Sequence, residues 1–501
     1  MKLSILVVAF LLFSSITFSQ TSFQKTFPAI DKYIDSLLKD WNIPGLALGI
    51  VYKDQLIYSK GYGYRDLEQK LPVQATTLFP IASNTKLFTA TAAAMLEQEG
   101  KLNLDKPVKN YMPSLTFSND ELNAKVTLRD MLSHRTGLPR YDALWAGTDM
   151  SRKEAISKVV YMKPRLGLRE GYIYNNMMYA SAGVVMEQVT GKSWEDIIRE
   201  KIFTPLQMKS SVFNTDDMKK SGNYSIAYFE KDSTRKLLPR KHEVRTDVLG
   251  AAGIIESSVD DMSHWMIAQL NDGMYLGKQV IAAKAIKETM VPNIIADKEG
   301  KYDELSNALY AMGRFIQTYK GYKITTHTGS VDGYYSSLTF VPALKLGVFM
   351  ILNGEAGGFI RTVMTFPVID RLLALSNTPW SQRYLADYKT FLDLDKRATD
   401  SINATQVKDT NPSHPLSSYA GTYTSSLYGS IKIELINDTL MISFRKVQAS
   451  LSHFHYDRFI TKAAGTDLPE FRLNFLMNNK GVIDSFSMSL FGDPVEVFVK
   501  K

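Results

Sequence analysis

Strand patterns occur at both ends of the first 375 residues of this chain, and helical patterns lie between them. Residues 46–52 and 56–64 are typical of a buried strand and its hairpin partner. Residues 101–249 are mainly helical, with long polar connections. Four further strands are predicted over residues 313–319, 323–327, 334–341 and 346–352. Because the sheet must join the first and last parts of this region, we predict one α+β domain, an antiparallel sheet flanked by helices with a mainly helical insert.

A second unit is predicted after residue 375, where the composition changes. Residues 376–415 are polar and contain several prolines, which indicates a linker with a possible short helix. From residue 416 the predicted strands are short and regularly spaced, a pattern typical of an all-β sandwich or small barrel. We therefore expect a domain at residues 21–375, a linker at residues 376–415 and a small all-β domain at residues 416–501.

The first 20 residues have the pattern of a signal peptide. Met1 and Lys2 precede an apolar run from Leu3 to Phe18, and cleavage is expected near Ser19-Gln20. The run, about 16 residues, is short for a membrane span. We expect a periplasmic or secreted protein without a stable membrane span after cleavage. An uncleaved N-terminal anchor is the alternative.

Composition excludes several kinds of site. The chain has no cysteine, so it has no disulfide, no cysteine metal site and no lipid-modified cysteine. The net charge of +8 is spread along the chain, which does not favour nucleic-acid binding. His453 and His455 share a strand face, but the sequence offers no third ligand beside them. We expect no metal ion and no organic cofactor.

Ser83 opens a long helical pattern, and Lys86 lies on the same face about one turn later. Free amides at a helix start stabilise negative charge, and a partly desolvated lysine can take a proton from a hydroxyl. The spacing alone is weak, because a lone serine here is also a common helix cap. Ser-x-x-Lys occurs five times, as Ser22/Lys25, Ser36/Lys39, Ser83/Lys86, Ser233/Lys236 and Ser443/Lys446.

Two later motifs distinguish the Ser83 pair from the others. Tyr174-x-Asn176 lies in a loop before a predicted helix, and His327-Thr328-Gly329 ends a predicted strand. In this order the three motifs resemble the signature of the serine β-lactamase and penicillin-binding-protein group, Ser-x-x-Lys, Ser/Tyr-x-Asn and Lys-Thr-Gly. The tyrosine version resembles class C β-lactamases and their D-Ala-D-Ala carboxypeptidase, D-aminopeptidase and esterase relatives. The resemblance covers about residues 27–375, and the tail resembles a lipocalin-like domain.

The resemblance implies roles for the catalytic residues. Ser83 attacks a carbonyl carbon and forms an acyl-enzyme, while Lys86 and Tyr174 hold and pass the proton. The phenol pKa of Tyr174 is expected to be lowered by nearby donors, so that it can act as a base. Asn176 orients Lys86 and the substrate amide.

The resemblance also implies a substrate-binding strand with an oxyanion hole. The oxyanion hole is expected from the backbone amides of Ser83 and Ser330. The residues expected to bind substrate are Asn176, His327, Thr328, Gly329 and Ser330.

One position departs from the family pattern. His327 stands where β-lactamases and carboxypeptidases have lysine. An ordinary histidine is mostly neutral at pH 7, so binding of substrates with a free carboxylate, penicillins included, is expected to be weak. We therefore expect an exported serine hydrolase acting on a small peptide, ester or cell-wall-derived substrate. The alternatives are a true β-lactamase and a slowly deacylating penicillin-binding or sensor protein. For His134, a structural hydrogen-bonding role is expected.

Overall fold

The computed structural model describes residues 23–148, 150–231, 236–240, 248–355, 358–445, 447–462 and 470–501. The predicted signal peptide at residues 1–20 lies outside these residues. Within the described ranges, no helix combines the length and apolar character needed to cross a membrane.

In the described part of the N-terminal domain there are fifteen strands, nine of which form one large sheet. In chain order the strands are β1 Gly45–Tyr52, β2 Gln55–Asp66, β3 Leu71–Pro72, β4 Phe79–Pro80, β5 Tyr228–Lys231, β6 Lys236–Pro239, β7 Glu256–Ser257, β8 Met274–Tyr275, β9 Lys278–Gln279, β10 Ile294–Asp297, β11 Ala308–Tyr310, β12 Phe315–Tyr319, β13 Tyr322–Val331, β14 Tyr334–Val341 and β15 Leu346–Leu352. The sheet order is β10-β11-β12-β13-β14-β15-β1-β2-β3. Every pairing in it is antiparallel.

The first and last parts of the domain meet at the centre of this sheet, as predicted. Leu46 of β1 pairs with Leu352 of β15. Every residue of β1, β14 and β15 is buried, because helices cover both faces of the sheet. These apolar strands therefore form the middle layer of the domain.

Twelve α-helices accompany the strands in the described residues. They are α1 Phe27–Asp40, α2 Thr85–Gln98, α3 Asp120–Lys125, α4 Leu128–Leu132, α5 Arg152–Ser157, α6 Asn176–Thr190, α7 Trp194–Ile198, α8 Thr215–Lys220, α9 Val259–Leu270, α10 Ala283–Glu288, α11 Ile360–Leu372 and α12 Trp380–Ala404. Helices α1 and α11 share one hydrophobic core with one sheet face. Helix α9 and the helical insert share the other core, which continues into the C-terminal domain.

The C-terminal domain is a closed eight-stranded barrel. Its strands are β16 Gly421–Ser425, β17 Gly429–Ile436, β18 Thr439–Phe444, β19 Val447–His455, β20 Arg458–Lys462, β21 Arg472–Met477, β22 Ile483–Met488 and β23 Glu496–Lys500. Pairing of β16 with β23 closes the ring. The prediction of a small all-β domain is confirmed, and of the two forms considered it is the barrel.

Residues 376–415, predicted as a linker, contain much more helix than expected. Most of this segment is α12, a helix of 25 residues, so the prediction of at most a short helix is wrong. Four apolar residues recur at helical spacing along one face of this helix, namely Trp380, Tyr384, Tyr388 and Phe391. The first two are buried, and the Trp380 indole donates a hydrogen bond to the Tyr319 hydroxyl. The later turns are largely exposed.

Candidate active site

Ser83 lies in a 3-10 turn, Ala82–Asn84, that runs directly into α2. The turn is held from two sides: the Ile81 amide donates to the Ile255 carbonyl (2.9 Å), and the Ile255 amide donates to the Thr85 hydroxyl (3.1 Å). Ala82 has φ +49°, a conformation that a residue with a side chain adopts only when its surroundings hold it there. The fold therefore fixes the start of this helix firmly.

The Lys86 amine is fully buried one turn after Ser83. Its nitrogen lies 3.0 Å from Ser83 Oγ, and its N–H groups donate to Asn176 Oδ1 (2.9 Å) and to the Ala252 carbonyl (2.7 Å). All three partners are uncharged. Burial, reinforced by the positive charge of Arg140, holds the pKa of Lys86 well below its ordinary value, and the negative charge of Asp142 opposes this shift. A neutral amine, able to accept a proton, is thereby favoured beside Ser83.

Tyr174 completes a group of three around the serine hydroxyl. Its hydroxyl donates to Ser83 Oγ at 2.8 Å, and Lys86 Nζ lies 4.8 Å from the centre of its ring. Burial raises the pKa of Tyr174 to about 12, although the hydrogen bond to Ser83 and the charge of Arg140 act in the opposite direction. The prediction of a lowered phenol pKa is therefore wrong, because loss of solvent outweighs the nearby positive charges.

Asn176 is the first residue of α6 and links the lysine to the helical insert. Its Oδ1 accepts from Lys86, while its Nδ2 donates to Asp142 Oδ1 at 3.2 Å. The preceding Asn175 caps α6 through the Met178 amide, and its own amide donates to His134 Nδ1 at 3.1 Å. His134 thus has a structural hydrogen-bonding role, as expected.

Strand β13 passes the Ser83 turn instead of ending there. The prediction that His327-Thr328-Gly329 ends a strand is wrong, since β13 continues to Val331 and Gly329 pairs with Ser336. Gly329 signals close approach here: a Cβ at this position would overlap the Ile81 carbonyl oxygen and lie 3.1 Å from the Ala82 Cβ. The missing side chain lets the strand lie directly against the turn that carries Ser83.

The two faces of β13 separate the predicted substrate-binding residues. His327 and Gly329 face the Ser83 side, because alternate residues of a strand share a face. Thr328 lines a separate cavity of about 170 Å³ together with Arg361. Ser330 is exposed and immediately follows the close contact at Gly329. The structure thus joins Ser83, Lys86, Tyr174 and Asn176 by hydrogen bonds and leaves the Thr328 side chain on the other face.

His327 is neutral and uses both ring nitrogens internally. Its Nδ1–H donates to the Thr328 carbonyl at 2.8 Å, which leaves Nε2 to accept from the Tyr310 hydroxyl at 3.2 Å. Burial, followed by the charge of Lys86, lowers the pKa of His327 to about 3. The position of the usual family lysine therefore carries no positive charge.

Sequence reasoning missed Arg140 and Asp142, which stand next to the site. The Arg140 guanidinium lies 5.1 Å from the centre of the Tyr174 ring, and its Nε donates to Asp142 Oδ2 at 2.5 Å. Both residues follow a turn whose sequence carries no catalytic motif. Their position becomes visible only once α6 packs against that turn.

A cavity of about 320 Å³ opens beside Gly253, Ile254 and the last residues of β13. Gly253 directly follows Ala252, whose carbonyl accepts from Lys86. The cavity thus begins one residue beyond the carbonyl that holds Lys86, and the Ser83 and Lys86 side chains do not line it. Among the described residues, no cluster of three or more histidine, aspartate or glutamate side chains has the arrangement of a metal site.

Sequence comparison relates both domains to known families. A family model described as Beta-lactamase matches residues 30–366, and one described as Domain of unknown function (DUF3471) matches residues 405–498. An Aspergillus violaceofuscus protein named Unguisins hydrolase ungD is 27% identical, over 81% of this chain and 76% of its own length. Protein flp of Staphylococcus aureus strain MW2 is also 27% identical, over 65% of this chain and 62% of its own length.

Solved structures share the fold over nearly the whole chain. The octameric penicillin-binding protein homologue from Pyrococcus abyssi covers 94% of this chain, with 99% of its own chain aligned. Its TM-score is 0.62 at 20% sequence identity. At that level of identity the likeness concerns the fold alone.

Proposed function

Given that the chain belongs to the beta-lactamase family of serine hydrolases, we propose that it is an exported enzyme that forms an acyl-enzyme on Ser83 and hydrolyses small peptide or ester substrates. One observation carries this proposal. The Ser83 hydroxyl oxygen lies 3.0 Å from the amine of a buried lysine and 2.8 Å from the hydroxyl of Tyr174. A nucleophile with a proton acceptor on one side and a proton donor on the other is the minimum that acyl transfer needs.

The acylation step begins at Lys86. With its pKa lowered, the neutral amine takes the proton of the Ser83 hydroxyl as the oxygen attacks the carbonyl carbon. The new C–O bond places negative charge on the carbonyl oxygen. We assign its stabilisation to the backbone amides of Ser83 and Ser330, because Gly329 brings the strand against the serine turn.

The leaving group departs with a proton from Tyr174. Its hydroxyl holds its proton at neutral pH, since its pKa is raised to about 12. Proton transfer to the departing nitrogen or oxygen breaks the C–N or C–O bond, and the proton taken up by Lys86 restores the phenol. Water then attacks the acyl carbon and gives a proton to the same pair of residues. The bond between the acyl carbon and Ser83 Oγ breaks, and the pair returns a proton to Oγ, which restores the Ser83 hydroxyl.

The substrate class is inferred from His327. This buried side chain has a pKa of about 3 and both nitrogens are engaged, so it offers no cation to a free carboxylate. Peptides and esters without a carboxylate at this position are therefore favoured over penicillins. The Aspergillus relatives named as hydrolases of unguisins support turnover rather than binding alone.

A substrate panel with mass detection tests the proposal. Purified mature protein is mixed with a p-nitrophenyl ester, a D-alanine amide and the chromogenic cephalosporin nitrocefin. We expect a burst and steady turnover of the ester or the amide, with much slower nitrocefin hydrolysis. Faster nitrocefin hydrolysis would identify a true β-lactamase. A stable β-lactam adduct on Ser83 without turnover of any substrate would identify a sensor.

Export is a separate part of the proposal, and it depends on the N-terminal sequence. The apolar run after Lys2 predicts removal of the first 20 residues and a periplasmic or secreted product. Intact-mass measurement of the protein from its producing cell is expected to give a chain that starts near Thr21. A full-length mass in the cell-associated fraction would contradict cleavage and support the N-terminal anchor.

A further inference from the structure

A carboxylate of the barrel contacts the wall of the active site. Asp493 lies in the turn between β22 and β23 and is only 6% exposed. Its Oδ1 accepts from the Asp142 amide and its Oδ2 from the Ala143 amide, both at 3.0 Å. The Tyr428 hydroxyl, also from the barrel, donates to Oδ2 at 3.0 Å. Two hydrogen bonds of this side chain thus join the two domains, and the third holds it within the barrel.

The segment that Asp493 contacts has a conformation that needs external support. The two amides begin the 3-10 turn Asp142–Leu144. The residue before it, Tyr141, has φ +48°, a region that is unfavourable for an aromatic side chain. A second barrel residue, Arg445, donates to the Ala146 carbonyl at 2.6 Å. The barrel therefore holds both ends of the segment at residues 141–146.

From this segment a chain of contacts leads to the nucleophile. Asp142 Oδ1 accepts from the Trp145 indole (2.7 Å) and from Asn176 Nδ2 (3.2 Å). An asparagine amide has one donor end and one acceptor end. With the donor end on Asp142, the acceptor end must face Lys86, and Lys86 contacts Ser83.

We propose that Asp493 is a positioning residue for the reaction: by fixing the turn at Asp142, it sets the orientation of Asn176 and hence the place of the Lys86 amine. The barrel is then part of the catalytic unit. This inference rests on the proposed function, since Lys86 must be the base for its position to matter. Asp493 does not itself touch the reacting atoms.

The first test replaces the carboxylate with an amide of the same shape. In Asp493→Asn, one of the two backbone amides faces an NH₂ group instead of an acceptor, so the turn loses support. With p-nitrophenyl butyrate as the probe, we expect kcat to fall about 30-fold, because small displacements of catalytic groups cost this much. KM is expected to stay within about twofold, since no residue of the cleft surface is removed.

Asp457 offers a matched control in the same barrel. Its carboxylate accepts from the Tyr419 hydroxyl and from the Ser413 amide, and these contacts lie within the C-terminal part of the chain. Asp457→Asn should lower the thermal stability of the full-length protein while kcat stays within about twofold of the unchanged enzyme. An equal loss of kcat in both variants would reduce Asp493 to a general stability role and overturn the proposal.

A double-mutant cycle tests the route through Asp142. Asp142→Ala alone removes the acceptor of Asn176 Nδ2 and keeps the backbone amide that Asp493 binds, so kcat should already be low. Adding Asp493→Asn to it should then change kcat by less than about threefold, because both changes break one route. Fully multiplicative effects would mean that Asp493 acts independently of Asp142, which overturns the inference.

The rate of Ser83 labelling separates this inference from the proposed function. Phenylmethylsulfonyl fluoride reacts with an activated serine without requiring the natural substrate. No labelling of Ser83 in the unchanged enzyme would contradict the proposed function itself. Labelling at the same rate in the unchanged enzyme and in folded Asp493→Asn would contradict only the role of Asp493.

Tyr428→Phe keeps the test decisive if Asp493→Asn fails to fold. It removes one of the three hydrogen bonds to Asp493 and leaves the carboxylate in place. We expect kcat to fall about threefold, with unchanged KM. A folded Tyr428→Phe enzyme with unaltered kcat and an unaltered labelling rate would count against the proposal.

Discussion

Two Ser-x-x-Lys pairs on two helices of this molecule have the same spacing and very different surroundings. On α1, Ser36 and Lys39 are both exposed, and the Ser36 hydroxyl donates to the Lys32 carbonyl at 3.1 Å. At the start of α2, Lys86 is buried and its amine lies 3.0 Å from Ser83 Oγ. Each of the other three pairs includes a residue outside the described ranges.

The comparison separates what spacing provides from what folding provides. Three residues along a helix place two side chains on one face in either case. On α1 both side chains face water, whereas on α2 desolvation and the charge of Arg140 lower the pKa of Lys86. The partners that hold the Lys86 amine, Asn176 and the Ala252 carbonyl, come from distant parts of the chain. These contacts and the burial of the amine, and not the spacing, give Lys86 its position and its lowered pKa.

Removal of the two serines should give the largest contrast. Ser83→Ala is expected to lower kcat/KM for a p-nitrophenyl ester at least about a thousandfold, because the acyl-enzyme can no longer form. Ser36→Ala is expected to leave kcat/KM unchanged. Steady-state kinetics on both variants checks this. Full activity of Ser83→Ala would exclude Ser83 as the nucleophile.

Replacing the two lysines should give nearly as large a difference in kcat between the α2 pair and the α1 pair. Lys86→Ala is expected to lower kcat about a thousandfold, since the proton acceptor is lost while the fold survives. Lys39→Ala should behave as the unchanged enzyme. Circular dichroism verifies folding, and stopped-flow measurement of the burst gives the acylation rate. A normal burst in Lys86→Ala would show that another group serves as base.

A methyl group added at Gly329 tests the close contact between β13 and the Ser83 turn, which belongs to the α2 pair and not to the α1 pair. Gly329→Ala should lower kcat about a hundredfold, because the new Cβ pushes β13 away from the Ser83 turn. Gly100, at the other end of α2, has φ +70° and open space around it. Gly100→Ala should therefore reduce stability by about 1 kcal/mol without altering kcat. Comparable kcat losses in both variants would show that the effect does not arise at Gly329.

The smallest effect expected is on the pH dependence of stability. The folded-state pKa of Lys86 is lowered, so between that value and its ordinary pKa the unfolded chain binds the extra proton. The free energy of unfolding should therefore rise with pH across this window, by roughly 1 kcal/mol per unit. Lys86→Met should flatten the slope, and Lys39→Met should leave it as it is. Urea unfolding at a series of pH values measures the difference, and equal slopes in all three proteins would contradict the lowered pKa.

Features determined by neighbouring residues were predictable from the sequence. Thr127 and Ser258 cap α4 and α9 by accepting from the backbone amide three residues later, so these helix starts depend on local sequence alone. The alternation of strand patterns likewise identified a sheet built from both ends of the domain. The family motifs distinguished the Ser83/Lys86 pair from the other four Ser-x-x-Lys pairs.

Features that depend on packing between distant segments were not predictable. The direction of the Tyr174 pKa shift follows from how much solvent the folded cleft excludes, which no local pattern records. Arg140 and Asp142 reach the site through α6, and Asp493 reaches it from the barrel. Helix α12 was missed although Trp380, Tyr384, Tyr388 and Phe391 recur at helical spacing, because its many polar and exposed residues resemble those of a linker.

The pairing of β1 with β15 has a consequence for biosynthesis. Leu46 leaves the ribosome long before Leu352, its partner in the sheet. Until then the first hairpin has one open edge, and the middle of the sheet does not exist. A nascent chain that stops short of β15 therefore has no complete core, however well its early helices form, and contacts of such long sequence separation slow folding. We expect this domain to reach its native state only after nearly all of it has been synthesised.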